Sequence, residues 1–162
     1  MESLFFSLLQ VLTELNENLT AMLRATEAHN QALRANDMTT IKEVLKELDP
    51  ISKQVRTFDT QREAIQASLE ERLQLPKGST LNKTLQHAPV HLVQDLNKVA
   101  QSLTDTTEAI QKIVEINNVL TKQALHFNEV LLNTMRPAKS TYNPTGQTSG
   151  NKPSTSILNK TI

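Results

Sequence analysis

Apolar residues recur along this chain at spacings of three and four, and the longest such run occupies residues 92–131. Its stripe is Leu92, Leu96, Val99, Leu103, Thr106, Ile110, Ile113, Asn117, Leu120, Ala124, Phe127 and Leu131. Only Thr106 and Asn117 are polar. A mean spacing of 3.5 residues keeps one stripe facing a partner along a gently supercoiled helix. At ~1.5 Å per residue the run is roughly 60 Å long, too long to hide inside a compact globule. It must lie against other helices of the chain, against another protein, or both.

The same period predicts two earlier helices. The first spans 2–35, with Leu4, Leu8, Leu12, Leu15, Leu19, Met22 and, after a weaker stretch, Leu33 on one face. Asn36-Asp37 reads as a break, and Asp37 is a good cap because its carboxylate can accept the free N–H groups of a new first turn. A short helix with Ile41, Val44, Leu45 and Leu48 follows. Asp49-Pro50 is a cap with proline at a first helical position, so the chain restarts or bends there. The heptad then returns as Ile51, Val55, Phe58, Arg62, Ile65, Leu69 and Leu73. Arg62 is the exception, read as a side chain that lays its stem along the seam and keeps its guanidinium in water. Pro76-Lys77-Gly78-Ser79 is turn chemistry, and Leu81 and Leu85 form a short helical turn after Thr80. Pro89 opens the long helix, which ends near Met135 because Pro137 cannot continue it.

Three long amphipathic segments with short breaks predict an all-α fold, an antiparallel bundle or coiled coil of three long helices. The domain expectation is a helical bundle over 1–135 and a basic tail over 136–162. In the tail 17 of 27 residues are Ser, Thr, Asn, Pro or Gly, with no apolar periodicity. Such a segment buries too little surface to offset its ordering entropy, and is expected to be disordered in isolation. It holds four basic residues and no acid. The other 135 residues therefore carry −4, since the net charge is zero.

Composition narrows the function. Aromatic content of 3% is lean for an enzyme and ordinary for a bundle whose seams are filled by Leu, Ile, Val and Ala. Zero net charge does not call for nucleic acid. The absence of cysteine excludes a disulfide framework, a thiolate metal site and a cysteine nucleophile, and fits a reducing compartment. The apolar start has Glu2 where a signal peptide wants positive charge, and no run approaches the ~18 apolar residues of a membrane span. The chain is therefore read as neither secreted nor membrane-inserted, and the sequons at Asn18, Asn82 and Asn159 as chance matches. His87 and His91 have the spacing of a metal pair, but Ala88-Pro89 disfavours one helix through both and no third ligand stands nearby. With three scattered glycines there is no phosphate loop. No cofactor and no enzymatic activity is expected.

Asn117 at a heptad core position is read first as a register residue, since a buried Asn costs stability but fixes alignment. A hydrogen bond to a client helix is the alternative. Past it, the helix has more apolar residues than one seam uses. Val119, Leu125, Val130, Leu132 and Met135 add to Leu120, Ala124, Phe127 and Leu131, and only Lys122 and Glu129 are charged between Glu115 and Arg136. This surplus is either a helix buried from two sides, a homodimer seam, or a face for a partner's amphipathic helix. Tyr142 is the only tyrosine, set in Ser140-Thr141-Tyr142-Asn143-Pro144-Thr145-Gly146-Gln147, and a lone aromatic there can anchor a short linear motif.

These pieces together resemble the FlgN-like flagellar export chaperones. The resemblance rests on the long last helix with Asn117-Asn118-Val119-Leu120, its stop before Pro137, and the tail from Tyr142 through Gly146 to Ser149. The N-terminal helix, the break at Asn36-Asp37 and the middle helix around Arg62 fit in order and length. The resemblance implies a cytoplasmic chaperone that binds hook–filament junction proteins, prevents their premature assembly and delivers them to the type III export gate. It implies client binding by Val119, Leu120, Ala124, Leu125, Phe127, Leu131, Leu132 and Met135. It implies docking on the gate's cytoplasmic domain by Tyr142 and Gly146. A self-associating coiled-coil assembly protein, or another secretion chaperone, is the competing reading.

Overall fold

The computed structural model describes residues 1–135. These hold four helices: α1 (Glu2–Ala35), α2 (Met38–Leu73), α3 (Leu81–Leu85) and α4 (Val90–Met135). Among the described residues there is no strand, and the fold is all-α. By contacts the chain divides into two units, Met1–Gln123 and Ala124–Ile162.

Both breaks in the first unit are built by local chemistry. Asn36 takes the left-handed conformation (φ 56°), so that its N–H reaches the carbonyl of Leu33 and that of Asp37 reaches Ala32. Asp37 then caps α2. Its Oδ1 accepts from the backbone N–H of Thr39 and of Thr40, each at 3.1 Å, and its Oδ2 accepts from the Thr40 hydroxyl at 2.6 Å. These bonds, the Thr40 hydroxyl first, hold the Asp37 carboxyl below its ordinary pKa. The end of α2 repeats the closure with Gln74 (φ 55°), where Leu75 donates to Glu70 and Gln74 to Glu71.

Of the two expectations at Asp49-Pro50, a restart or a bend, the restart does not occur. Pro50 lies inside the single helix α2. Proline removes one N–H bond and crowds the preceding turn, but this position is solvent-exposed, so water can take up the freed carbonyl. Lys53 also binds Asp49 at 2.6 Å, a helical i, i+4 pair spanning the proline.

Hydrogen bonds fix how the helices of the first unit run. The Ser102 hydroxyl donates to Asn16 Oδ1 at 3.0 Å, and Asn30 Nδ2 donates to Asn117 Oδ1 at 2.7 Å. Numbers rise together in α1 and α4, so these two helices are parallel. Leu69, late in α2, packs with Phe5 and Leu8 early in α1, while Val55 faces Leu15 and Leu19. The middle helix therefore runs against both, and the bundle is up, down, up. The core joins Phe5, Leu8, Leu12, Leu69, Leu85, Leu92 and Leu96, and the turn with α3 carries Leu85 into it.

Arg62 departs from its expected solvated state. Its Nε binds Asp59 at 2.7 Å and its Nη1 donates to Gln66 Oε1 at 3.0 Å. Gln66 in turn donates to the Ser79 carbonyl, and Glu70 accepts from the Gly78 N–H at 3.1 Å. This partly buried set ties the end of α2 to the turn at 76–79. The guanidinium is used by the protein because Gln66 and Asp59 lie one turn either side of it.

Candidate functional site

The long stripe of α4 changes character along its length. Leu92 and Leu96 are fully packed, Val99 through Ile113 are half-buried, and Asn117 is 5% exposed. Asn117 Nδ2 donates to the Thr26 carbonyl at 3.2 Å and lies 3.5 Å from His29 Nδ1. Asn30, which binds Asn117 Oδ1, accepts from Arg34 Nε at 2.9 Å. Both ends of the Asn117 amide are thus satisfied by α1, as burial of an amide requires. Continuing the offset of 87 between Asn30 and Asn117, the last residue of α1, Ala35, stands level with Lys122. Near that level the first unit ends.

Residues 124–135 of the second unit are helical and almost bare. Leu125 is 61% exposed, Phe127 63%, Leu132 62% and Met135 72%, and Val130 and Leu131 are exposed with them. Ala124 is half-buried. Spacing divides these side chains into lines on the helix. Phe127, Leu131 and Met135 stand four apart, and Leu125 and Leu132 stand seven apart on the flank beside them. Glu129 is the only formally charged residue among the twelve. Scattered exposed apolar residues are ordinary, but a contiguous apolar face on one helix end is the signature of an interaction surface. In the first unit, Val119 is exposed and Leu120 half-buried. Val114 and Ile116 are exposed as well, and the heptad reading missed them because they fall outside its stripe. Tyr142 and Gly146 lie outside the described residues.

Other concave places lack this character. An open groove of about 550 Å³ is floored by Leu15, Leu19, Ala100 and Leu103 and edged by Asp59, Arg62 and Glu108. Among the described residues no group of three or more His, Asp or Glu could hold a metal. Among them, too, no helix is long and apolar enough to cross a membrane. His91 faces Glu2 at 3.2 Å on the surface.

His29 gives the bundle a pH dependence. Burial pushes its pKa below the ordinary histidine value. A histidine kept neutral by folding contributes stability that is present above its unfolded pKa and lost as pH falls through the lowered, folded one. The thermal midpoint should therefore decline as pH falls below the ordinary histidine pKa, and His29→Gln should flatten that slope in a melting series. An unchanged slope would assign the acid sensitivity elsewhere.

A helical bundle whose last helix closes in a bare apolar face has the build of a protein that holds another protein's segment. Comparison gives that class a family: residues 1–150 match the family described as FlgN protein. The chain belongs to the FlgN family, and is a flagellar export chaperone. This is a chaperone family rather than an enzyme family, and its members bind flagellar substrate proteins. No curated protein and no solved structure matches the chain.

Proposed function

We propose that this chaperone acts in the cytoplasm on hook–filament junction proteins, covering a terminal helix of the subunit until it is delivered to the type III export gate. The observation that carries this reading is the exposed apolar end of α4, from Leu125 to Met135. A client's amphipathic helix has apolar side chains at i, i+3, i+4 and i+7. Two offset lines of Leu, Phe and Met supply matching ridges, and thioether and leucyl side chains adapt to more than one sequence. Val119 and Leu120 are proposed client contacts on the first unit.

Within this scheme residues 1–135 are the chaperone domain and 136–162 a basic tail. Asn117 sets register between α1 and α4, because a slip by one helical turn would leave its buried amide unpaired. Tyr142, with Gly146 beside it, docks on the cytoplasmic domain of the gate. No bound nucleotide or metal is called for, since the work is binding and release.

Deleting residues 120–135 should abolish co-purification with a junction protein while the rest stays helical by circular dichroism. Retained co-purification would remove this face from the mechanism. Tyr142→Ala should leave client affinity unchanged and weaken gate docking in calorimetry about tenfold, the loss expected for one anchoring aromatic. An unaltered gate affinity would remove Tyr142 from the scheme.

A further inference from the structure

The family match stops at residue 150, twelve residues before Ile162. Those twelve read Asn-Lys-Pro-Ser-Thr-Ser-Ile-Leu-Asn-Lys-Thr-Ile. Ile157, Leu158 and Ile162 are the only Ile, Leu, Val, Met or Phe residues after Met135. Lys152 precedes them, and Lys160 lies between Leu158 and Ile162. Such a cluster at the far end of an otherwise polar stretch is unexplained by client binding or gate docking.

We propose that residues 157–162 dock in cis on the apolar face at 124–135 and act as a tethered competitor of the client. Reach favours it. Between the face and Ile157 lie the 21 residues from 136 to 156, and a flexible chain of that length would span roughly 25 Å root-mean-square, from about 5–6 Å times the square root of length. The face itself, twelve helical residues at ~1.5 Å each, is about 18 Å long. A linker that matches its span gives effective concentrations on the order of millimolar. A contact too weak to matter between separate molecules then covers the face for much of the time. Charge favours it too: Glu129 is the only formal charge within 124–135, and the segment brings Lys160, with Lys152 a few residues ahead of it. The face gains a cover that disfavours self-association, and a client with longer apolar contact displaces it. The docking stands on this geometry alone, whereas the competitor role rests on the client site proposed above.

The chain has no cysteine, so Ser156→Cys places one nitroxide beside Ile157 in the full-length protein. At low concentration the label should broaden amide resonances of Leu125, Phe127, Leu131 and Leu132. The same label in an Ile157→Ser/Leu158→Ser chain should broaden them much less. Equal broadening in the two chains would overturn the docking. Broadening seen only when labelled chain is mixed with an isotope-labelled, nitroxide-free copy would assign the face to a second copy and overturn docking in cis. For the competitor role, removing 151–162 should tighten junction-protein binding about fivefold, as loss of a tethered ligand at several times its dissociation constant requires. Unchanged affinity alongside retained broadening would overturn competition and leave docking. A full-length chain that binds no junction protein at all would overturn the client reading without touching the nitroxide result.

Discussion

Leu125→Asp combined with Leu132→Asp should lower affinity for a junction protein about a thousandfold, or ~4 kcal/mol, while leaving the melting temperature almost unchanged. Both side chains are more than half exposed in the free protein, so a carboxylate there meets water and costs the fold little. In the complex the same carboxylates enter an apolar seam without partners. An unpaired charge buried at an interface costs several kcal/mol, and truncation of the two leucines removes apolar burial as well. The separation of effects is the informative part. Calorimetry reporting wild-type affinity would show that client contact lies elsewhere. A collapse of the thermal midpoint would show that these leucines support the fold.

Leu96→Ala should do the reverse. Leu96 is fully buried in the cluster with Phe5, Leu8, Leu12, Leu69 and Leu92. Removing its three distal carbons forfeits transfer free energy and leaves a cavity that surrounding helices fill only in part. The expected cost is about 3 kcal/mol, a fall of roughly 10 °C in the thermal midpoint of a domain this size. Phe127→Ala, on the same helix but 63% exposed, should stay within about 0.5 kcal/mol of wild type. Chemical denaturation of the three proteins side by side checks this. Equal destabilisation by Leu96→Ala and Phe127→Ala would contradict the assignment of one end of α4 to stability and the other to binding.

Much of this division can be seen in residue spacing. The period of 3.5 placed Leu92 and Leu96 in the core, and the capping chemistry of Asn36-Asp37 gave α1 its end and α2 its start. The stripe also showed where it exceeded its use, because Leu125, Leu132 and Met135 lie off the seam. Periodicity could not show which apolar residues meet a partner within the chain. That depends on where α1 ends relative to α4, and the offset is set by the Asn30–Asn117 pair, two polar residues that no hydrophobic pattern connects. Ala25, Thr26 and Ala32 are buried where the stripe of α1 looked weak. Their side chains are small, and a scale that rewards large apolar side chains passes over them. Pro50 misled in the other direction. Proline next to a capping aspartate reads as a helix start, but the exposed face of α2 carries it without a break. The Arg62–Gln66–Glu70 set escaped because each member is an ordinary surface residue until the turn at 76–79 folds over it.

FlgN family membership defines the class of activity, and the exposed apolar end of α4 is where we propose that this chain performs it. The most direct test is hydrogen exchange of the full-length protein, with and without a hook–filament junction protein. Binding at the proposed site predicts slowed exchange concentrated in residues 119–135, with the core around Leu8, Leu69 and Leu96 unchanged. Slowed exchange confined to α2 or to the groove at Leu19 and Leu103, with the end of α4 exchanging as freely as before, would contradict it.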